Sequence, residues 1–416
     1  MQQFFDRTLL TLICCTVTLL LASAQTCPES SLINRQVRAS ETDAEIPFEL
    51  ARHQVWINTD CDAKGLLLIH LPGTFDNPSR TTLFPALAAN SGYHVIGLKY
   101  PNDLSAQTAC RESSDADCYE DFRREIVEGM DLHLDIEVDR ANSIENRIQQ
   151  LLQYLAAAFP AEGWGQFLEN ENILWDKLLI SGHSQGGGHA AFMAKDRVLQ
   201  RVIMFASPND YDAVNEAAAA WTSAPHLTPD SCYYAFGNLF DDIVDFREEY
   251  LQWNALGMGT FGDTVNVQEV PSPYLYSRML YTHEQKSGLA VNHSLMITDE
   301  QVTLDEDGVP IYKAVWEYLL GLNSVVNGIA EVASGSKFRV YPNPCSDFTL
   351  VEFDSPDVHP NDIRIVNLNG HVFKVTVEKI GSSLTIDCSQ LTPGVYYLQT
   401  RQNGHYQSVQ RLVVVR

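Results

Sequence analysis

Ser184 sits in the stretch ISGHSQGGGHAAF, residues 180–192, with one glycine two places before it and another two places after. A serine hydroxyl is a weak nucleophile and attacks a carbonyl only when a base takes its proton. The spacing G-x-S-x-G, Gly182 to Gly186, lies between an apolar run, LLI, and a helix-like run, GGGHAAFMAKD. That context is what a nucleophile elbow requires, a sharp strand-to-helix turn with the serine at its tip. The turn holds the serine at strained backbone angles, so the residues two away must lack side chains. The helix beyond it presents the positive end of its dipole to developing negative charge. Gly187 and Gly188 are expected to let that helix pack close to the sheet.

A nucleophilic serine on such a turn takes its partners in the chain order Ser, acid, His. After the apolar run SCYYAFG comes NLFDDIV, which offers Asp241 and Asp242. The distance to Val244 favours Asp241 and keeps Asp242 as the alternative; the same pair would also suit a solvated helix N-terminus. Asp210, in FASPNDY, is a third candidate acid. For the base, His293 in NHSLMITDE is favoured, because it stands just ahead of the last helix; His283 in YTHEQK competes. His183 and His189 are not bases, since one lies on the turn and the other within the helix; both are expected to pack or to line the pocket. An oxyanion hole needs two backbone N–H groups. Gln185, the residue after the serine, supplies one; the loop HLPGTFDNP, residues 70–78, supplies the other from Thr74 or Phe75, with Gly73 allowing the tight turn. This set performs acyl transfer with no metal and no cofactor.

The elements that must carry these residues are legible between about residues 63 and 321. KGLLLIHL (64–71) is a continuous apolar run, as a strand buried on both faces would be. TTLFPALAANSG is helix-like and YHVIGLKY (93–100) strand-like. SIENRIQQLLQYLAAAF (143–159) has a capping serine and an apolar stripe at Ile144, Ile148, Leu151, Leu152 and Leu155, an amphipathic helix. WDKLLISG, RVIMFAS and SCYYAFG read as strands, and IYKAVWEYLLGL as a closing helix. Strands alternating with helices imply α/β architecture with a mostly parallel central sheet. Residues 323–336 read as a linker. From 337 to 416 the runs become short, alternating and turn-bounded, with hairpin signals at Asn369-Gly370 and Asn403-Gly404. That is a small all-β sandwich domain.

The first 24 residues read as a secretory signal peptide: Arg7, an apolar run from Leu9 to Leu21, and Ala22-Ser23-Ala24 as the cleavage site. No later segment reads as a membrane span. Beyond the signal seven cysteines remain, and an exported chain meets oxidising conditions. Cys110 and Cys118 bracket a short polar loop and are the favoured pair; Cys345 with Cys388 and Cys27 with Cys61 could also pair, leaving Cys232 buried. No CxxC pair and no His/Cys cluster suggests zinc. DEDG, residues 305–308, lacks the spacing of a calcium loop and reads as a hairpin turn. CRESSDADC and the acidic helix after it are expected to form a lid or rim. The net charge of −25 argues against nucleic acid and anionic membrane surfaces as partners. From Lys337 onward eight Lys/Arg nearly balance seven Asp/Glu, so the acidity belongs to the larger domain.

On LPGT, SIENRIQQLLQYL, GHSQGGGHAAF, RVIMFASPND and NHSLMITD, residues of about 60–320 resemble the α/β-hydrolase superfamily, and within it the BPSS-type bacterial group. The resemblance implies an α/β-hydrolase fold, and with the residues above a secreted serine hydrolase, foremost a carboxylic ester hydrolase. A peptidase or lipase on the same fold, or an inactive surface-binding protein, are the alternatives. On YPNP, IRIVNLNGHVF, LTPGVYYLQT and QRLVVVR, residues 337–416 resemble the type A C-terminal sorting domain of the type IX secretion system. That resemblance implies the type IX machinery as partner and passage through the outer membrane to the medium or the cell surface. Cys345 and Cys388 depart from its pattern, and a carbohydrate-binding β module is the other reading.

Overall fold

The computed structural model describes residues 27–46, 51–322, 338–341, 345–353, 359–360, 363–367, 372–380, 383–392, 394–402 and 405–414. The expected signal peptide, the linker at 323–336, both hairpin turns and the PNP of YPNP lie outside these residues.

The larger part is built on a nine-stranded sheet. Its strands are β1 (Leu32–Val37), β2 (His53–Asn58), β3 (Leu67–Leu71), β4 (His94–Gly97), β5 (Leu178–His183), β6 (Arg201–Phe205), β7 (Tyr233–Asn238), β8 (Val265–Asn266) and β9 (Met279–Thr282). In space they run β1-β2-β4-β3-β5-β6-β7-β9-β8. The pairs β1/β2 and β2/β4 are antiparallel; every pair from β4 to β8 is parallel. The expected strands within 64–71, 93–100, 175–182, 201–207 and 231–237 are all present. The antiparallel edge and the strands β8 and β9 were not foreseen; in the edge, LINRQV and HQVWIN mix polar residues into each face.

Apolar runs make central strands because successive side chains enter opposite layers. Leu67, Ile69 and Leu71 join one core with Ile180, Val202 and Met204, whereas Leu68, Leu179, Ile203 and Phe205 join the other. The first core is closed by α2 (Cys118–Glu128), α3 (Ile144–Ala158), α4 (Gln185–Asp196) and α5 (Phe246–Ala255), through residues such as Phe122, Leu151, Phe192 and Trp253. The second is closed by α1 (Leu83–Ala89) and α6 (Lys313–Leu320), through Phe84, Ala88, Trp316 and Leu319. The stripe predicted for α3 is buried throughout, and Ser143 caps it by accepting from Asn146 N–H. This is α/β architecture with a large, mostly parallel sheet.

Helix α2 does not behave as a lid. Phe122, Ile126 and Val127 are fully packed in the core, and Arg123 is buried with them. Only the acidic loop before it is exposed. That loop is closed by the Cys110–Cys118 disulfide, and Cys27–Cys61 ties the N-terminal segment beside β2. His133 Nε2 lies 3.5 and 3.3 Å from the two sulfurs of the Cys110–Cys118 bridge. The sequence offered no such His/Cys cluster. With both sulfurs bonded to each other, it holds no thiolate that could take an ion. Asp305 accepts from the N–H groups of Asp307 and Val309, and Leu304 bridges Pro310, which makes DEDG a tight turn.

The C-terminal strands form two four-stranded antiparallel sheets. One contains Phe338–Tyr341, Phe348–Phe353, Ser383–Asp387 and Val377–Ile380; the other contains Val372–Phe373, Ile363–Asn367, Gly394–Gln402 and His405–Val414. Val351, Leu384 and Ile386 of the first share one core with Ile365, Leu398 and Leu412 of the second. Cys345 and Cys388 meet in this core as free thiols, not as a disulfide, and burial pushes Cys388 up to about 12. Cys232 is free and half-buried, not buried.

Candidate active site

Ser184 joins β5 to α4 with φ 53° and ψ −122°, a backbone conformation that a side chain strains to adopt. The turn is held from the neighbouring strand: Ser184 N–H donates to the Phe205 carbonyl at 2.8 Å. A Cβ on Gly182 would stand 2.2 Å from the Gly186 carbonyl carbon, and one on Gly186 would stand 2.1 Å from the Leu71 oxygen. Both obstacles are backbone, so neither can move aside. Gly187 faces Ser207 at the sheet. Gly188 instead faces the Arg123 guanidinium, 2.0 Å from an added Cβ, so it admits α2 and not the sheet.

The loops that follow β7 and β9 bring the predicted acid and base together. His293 Nδ1 and Asp241 Oδ2 are 2.6 Å apart, with both side chains almost wholly buried. Burial works to raise the Asp241 carboxyl. The charge of His293, the hydrogen bond to its ring, and the N–H groups of Val244 and Ile243 outweigh that and hold it below the ordinary value. Asp242 turns to the backbone instead. It accepts from the N–H of Ala290 at 2.7 Å and of His293 at 3.1 Å, fixing the main chain of the histidine loop. Asn238 Nδ2 donates to the Asn292 carbonyl at 2.9 Å, a further tether. His283 points elsewhere, with its Nδ1 against Asn266 Nδ2 at 2.6 Å.

His183 contributes from beside the serine. Its ring lies 4.9 Å from that of His293, and its Nε2 contacts the His293 carbonyl oxygen at 3.0 Å. Burial, and then the neighbouring His293, push His183 down to about 3. It is therefore neutral, donates from Nε2, and holds the histidine loop against the elbow. Burial, and then Arg123, put His189 well below its ordinary value, so it is a neutral packing group.

The third candidate acid, Asp210, is not placed with His293. It pairs with Arg123 through Nε at 2.5 Å and through Nη2, and it accepts from Trp221 Nε1 at 2.8 Å. Arg123 in turn donates to the Gln185 carbonyl at 3.3 Å and to His189 Nδ1 at 3.4 Å. The pair lies beneath the first turn of α4. Nothing in the sequence marked Arg123, which sits in a run that reads as an acidic surface helix. Asn209 was also missed. Its amide lies 3.4 Å from Ser184 Oγ, and with the amide turned so that nitrogen donates to Ala206 and Pro208, its oxygen faces the serine.

The loop after β3 passes over the serine: a Cβ on Gly73 would lie 3.2 Å from that of Ser184. Tyr100 OH donates to the Pro72 carbonyl at 2.7 Å, and Asn102 Nδ2 donates to the carbonyls of Gly73 and Asp76 at 2.5 and 2.9 Å. Phe75 N–H donates to Asn102 O at 2.9 Å, so it is already taken by the loop after β4. Of the two expected donors from this loop, Thr74 is the one left. Its hydroxyl reaches Gln185 Oε1 at 2.8 Å, linking the two residues expected to bind an oxyanion.

Residues 339–415 match the family described as the secretion system C-terminal sorting domain. The chain thus carries a type IX sorting domain, which implies interaction with that machinery and export to the medium or the cell surface. No curated protein matches the chain. Among the described residues, no helix is long and apolar enough to cross a membrane.

Proposed function

We propose that the larger domain is a serine hydrolase with the α/β-hydrolase fold, acting on carboxylic esters outside the cell. The observation that carries this reading is the buried 2.6 Å contact between His293 Nδ1 and Asp241, on loops adjoining a strained serine. In the proposed reaction His293 Nε2 takes the Ser184 proton as Oγ attacks the acyl carbonyl. Asp241 holds the ring in the required tautomer and balances its positive charge. The N–H groups of Gln185 and Thr74 receive the negative oxygen, and His293 returns the proton to the departing alcohol. Water then repeats the sequence on the acyl-serine and releases the acid. The sorting domain would direct passage through the outer membrane as a type A signal, ending in release or surface attachment.

The test is Ser184→Ala in the full chain, assayed on p-nitrophenyl acetate with folding followed by circular dichroism. The expected loss in kcat is roughly 10⁴-fold or more. A folded variant as active as the parent would overturn the proposal.

A further inference from the structure

Three loops meet around Ser184, and each exposes large apolar side chains. Phe75, next to Thr74, is 79 % exposed; Leu289, next to Ala290 on the histidine loop, is 90 % exposed. Leu239, Phe240 and Ile243, flanking Asp241, are all exposed as well. Single exposed apolar residues are ordinary, but a group gathered from separate parts of the chain around one polar site marks a binding surface. Four of the five are held by backbone hydrogen bonds. Phe75 N–H is bonded to Asn102, Leu239 N–H to the Thr282 carbonyl, and the N–H groups of Phe240 and Ile243 to the side chains of Asn238 and Asp241. The backbone holds the apolar groups outward at fixed positions, where each costs free energy until something covers it.

Charge limits what can cover them. Residues 238–246 contain Asp241, Asp242 and Asp245 and no Lys or Arg. The nearest cations on the other two loops are engaged: Arg80 with Asp76 and Glu300, Lys286 with Glu284 and the Gln301 carbonyl. On the described residues of these three loops, an anionic substrate would meet Asp241, Asp242 and Asp245, and the Lys and Arg present are already paired.

We propose that the substrate is an uncharged ester with an apolar acyl chain, which lies across Phe75, Phe240 and Leu289 while Ser184 attacks its carbonyl. This rests on the reading of the site as an ester hydrolase. Each methylene moved from water to an apolar surface favours binding by about fourfold when fully covered, and by about twofold when half covered. Hexanoate has about four more methylenes than acetate, so kcat/KM should rise roughly 15- to 250-fold.

The experiment measures kcat/KM of the full chain on p-nitrophenyl acetate, butyrate and hexanoate, and on the p-nitrophenyl monoester of adipic acid. That monoester has the length of hexanoate but ends in a carboxylate. Expected are a rising series, an adipate value no better than acetate, and a hexanoate-to-acetate ratio that falls about fivefold or more in Leu289→Ser and Phe240→Ser. Leu134→Ser, at a fully exposed position outside these loops, should keep the parent ratio. Ser184-dependent acetate hydrolysis with a flat series, with adipate equal to hexanoate, or with ratios untouched by the loop variants overturns the substrate assignment and leaves the hydrolase reading standing. Fluorophosphonate labelling of Ser184 with no ester turned over also overturns it. Absence of both labelling and hydrolysis overturns the hydrolase reading, and this inference with it.

Discussion

Arg123 and Asp210 are 1 % and 0 % exposed in their side chains, so neither charge has water to fall back on. Removing one partner of a buried pair strands the other and costs about 3–5 kcal/mol. Arg123→Met should reach that range. It leaves Asp210 with the Trp221 N–H and takes away the guanidinium donor to the Gln185 carbonyl. Asp210→Asn should cost a similar amount, because it leaves Arg123 with neutral acceptors only. The double variant removes both charges at once, so its loss should be smaller than the sum of the singles by roughly 2–3 kcal/mol. Urea unfolding of the parent and three variants reads these values. Activity gives an independent reading: with the guanidinium donor to its carbonyl gone, Gln185 is less firmly placed, and kcat should fall in Arg123→Met even where the protein is folded. Single variants within about 1 kcal/mol of the parent, or strict additivity, would refute the idea that this pair holds the elbow from below.

Asp241→Asn should lower kcat by roughly 10⁴-fold, because the amide favours the wrong histidine tautomer. Asp242→Asn, which loosens only the backbone of the histidine loop, should lose about a hundredfold or less, so kinetics of the two variants side by side tests the division of roles. Glu249 is fully buried beside Gly237, Trp253 and Phe246, both its oxygens lack a partner, and burial, then Asp241 and Asp245, raise it well above its ordinary value of 4.5. The folded state thus keeps a proton that the unfolded state releases above about pH 4.5, and stability falls by about 1.4 kcal/mol per pH unit until the folded group ionises. Glu249→Gln should lack that decline, so its advantage over the parent should grow as the pH rises above about 4.5. Parallel stability curves for the two proteins would contradict the assignment.

The strained serine turn could be read from the chain because its constraints are local. Gly182 and Gly186 are forced by backbone contacts within one turn, and the apolar run before them and the helix after them sit in the same short stretch. The candidate acids were ranked but not separated by sequence, since Asp241 and Asp242 are neighbours and only the loop geometry sends one to the His293 ring and the other to backbone N–H groups. Likewise, Thr74 and Phe75 differ in whether Asn102, a residue from a different loop, claims the N–H. Central strands were legible as apolar runs, whereas β1 and β2, at the sheet edge, carry polar residues and gave no clear period. Arg123 and Asp210 were misjudged for one reason. A charge pattern describes a solvated face unless its partner is known, and the partner here lies 87 positions away. The two central sulfurs of the sorting domain could be placed in one domain by sequence, but whether they bond depends on a geometry that sequence does not carry.

The most direct measurement is labelling of the purified full chain with a fluorophosphonate, followed by mapping of the modified peptide. Label is expected on Ser184, lost in Ser184→Ala and strongly slowed in His293→Ala, because only a serine whose proton can be removed attacks phosphorus at a useful rate. A folded protein that takes no label, or takes it at another serine, would contradict the claim that the glycine-framed serine is an activated nucleophile.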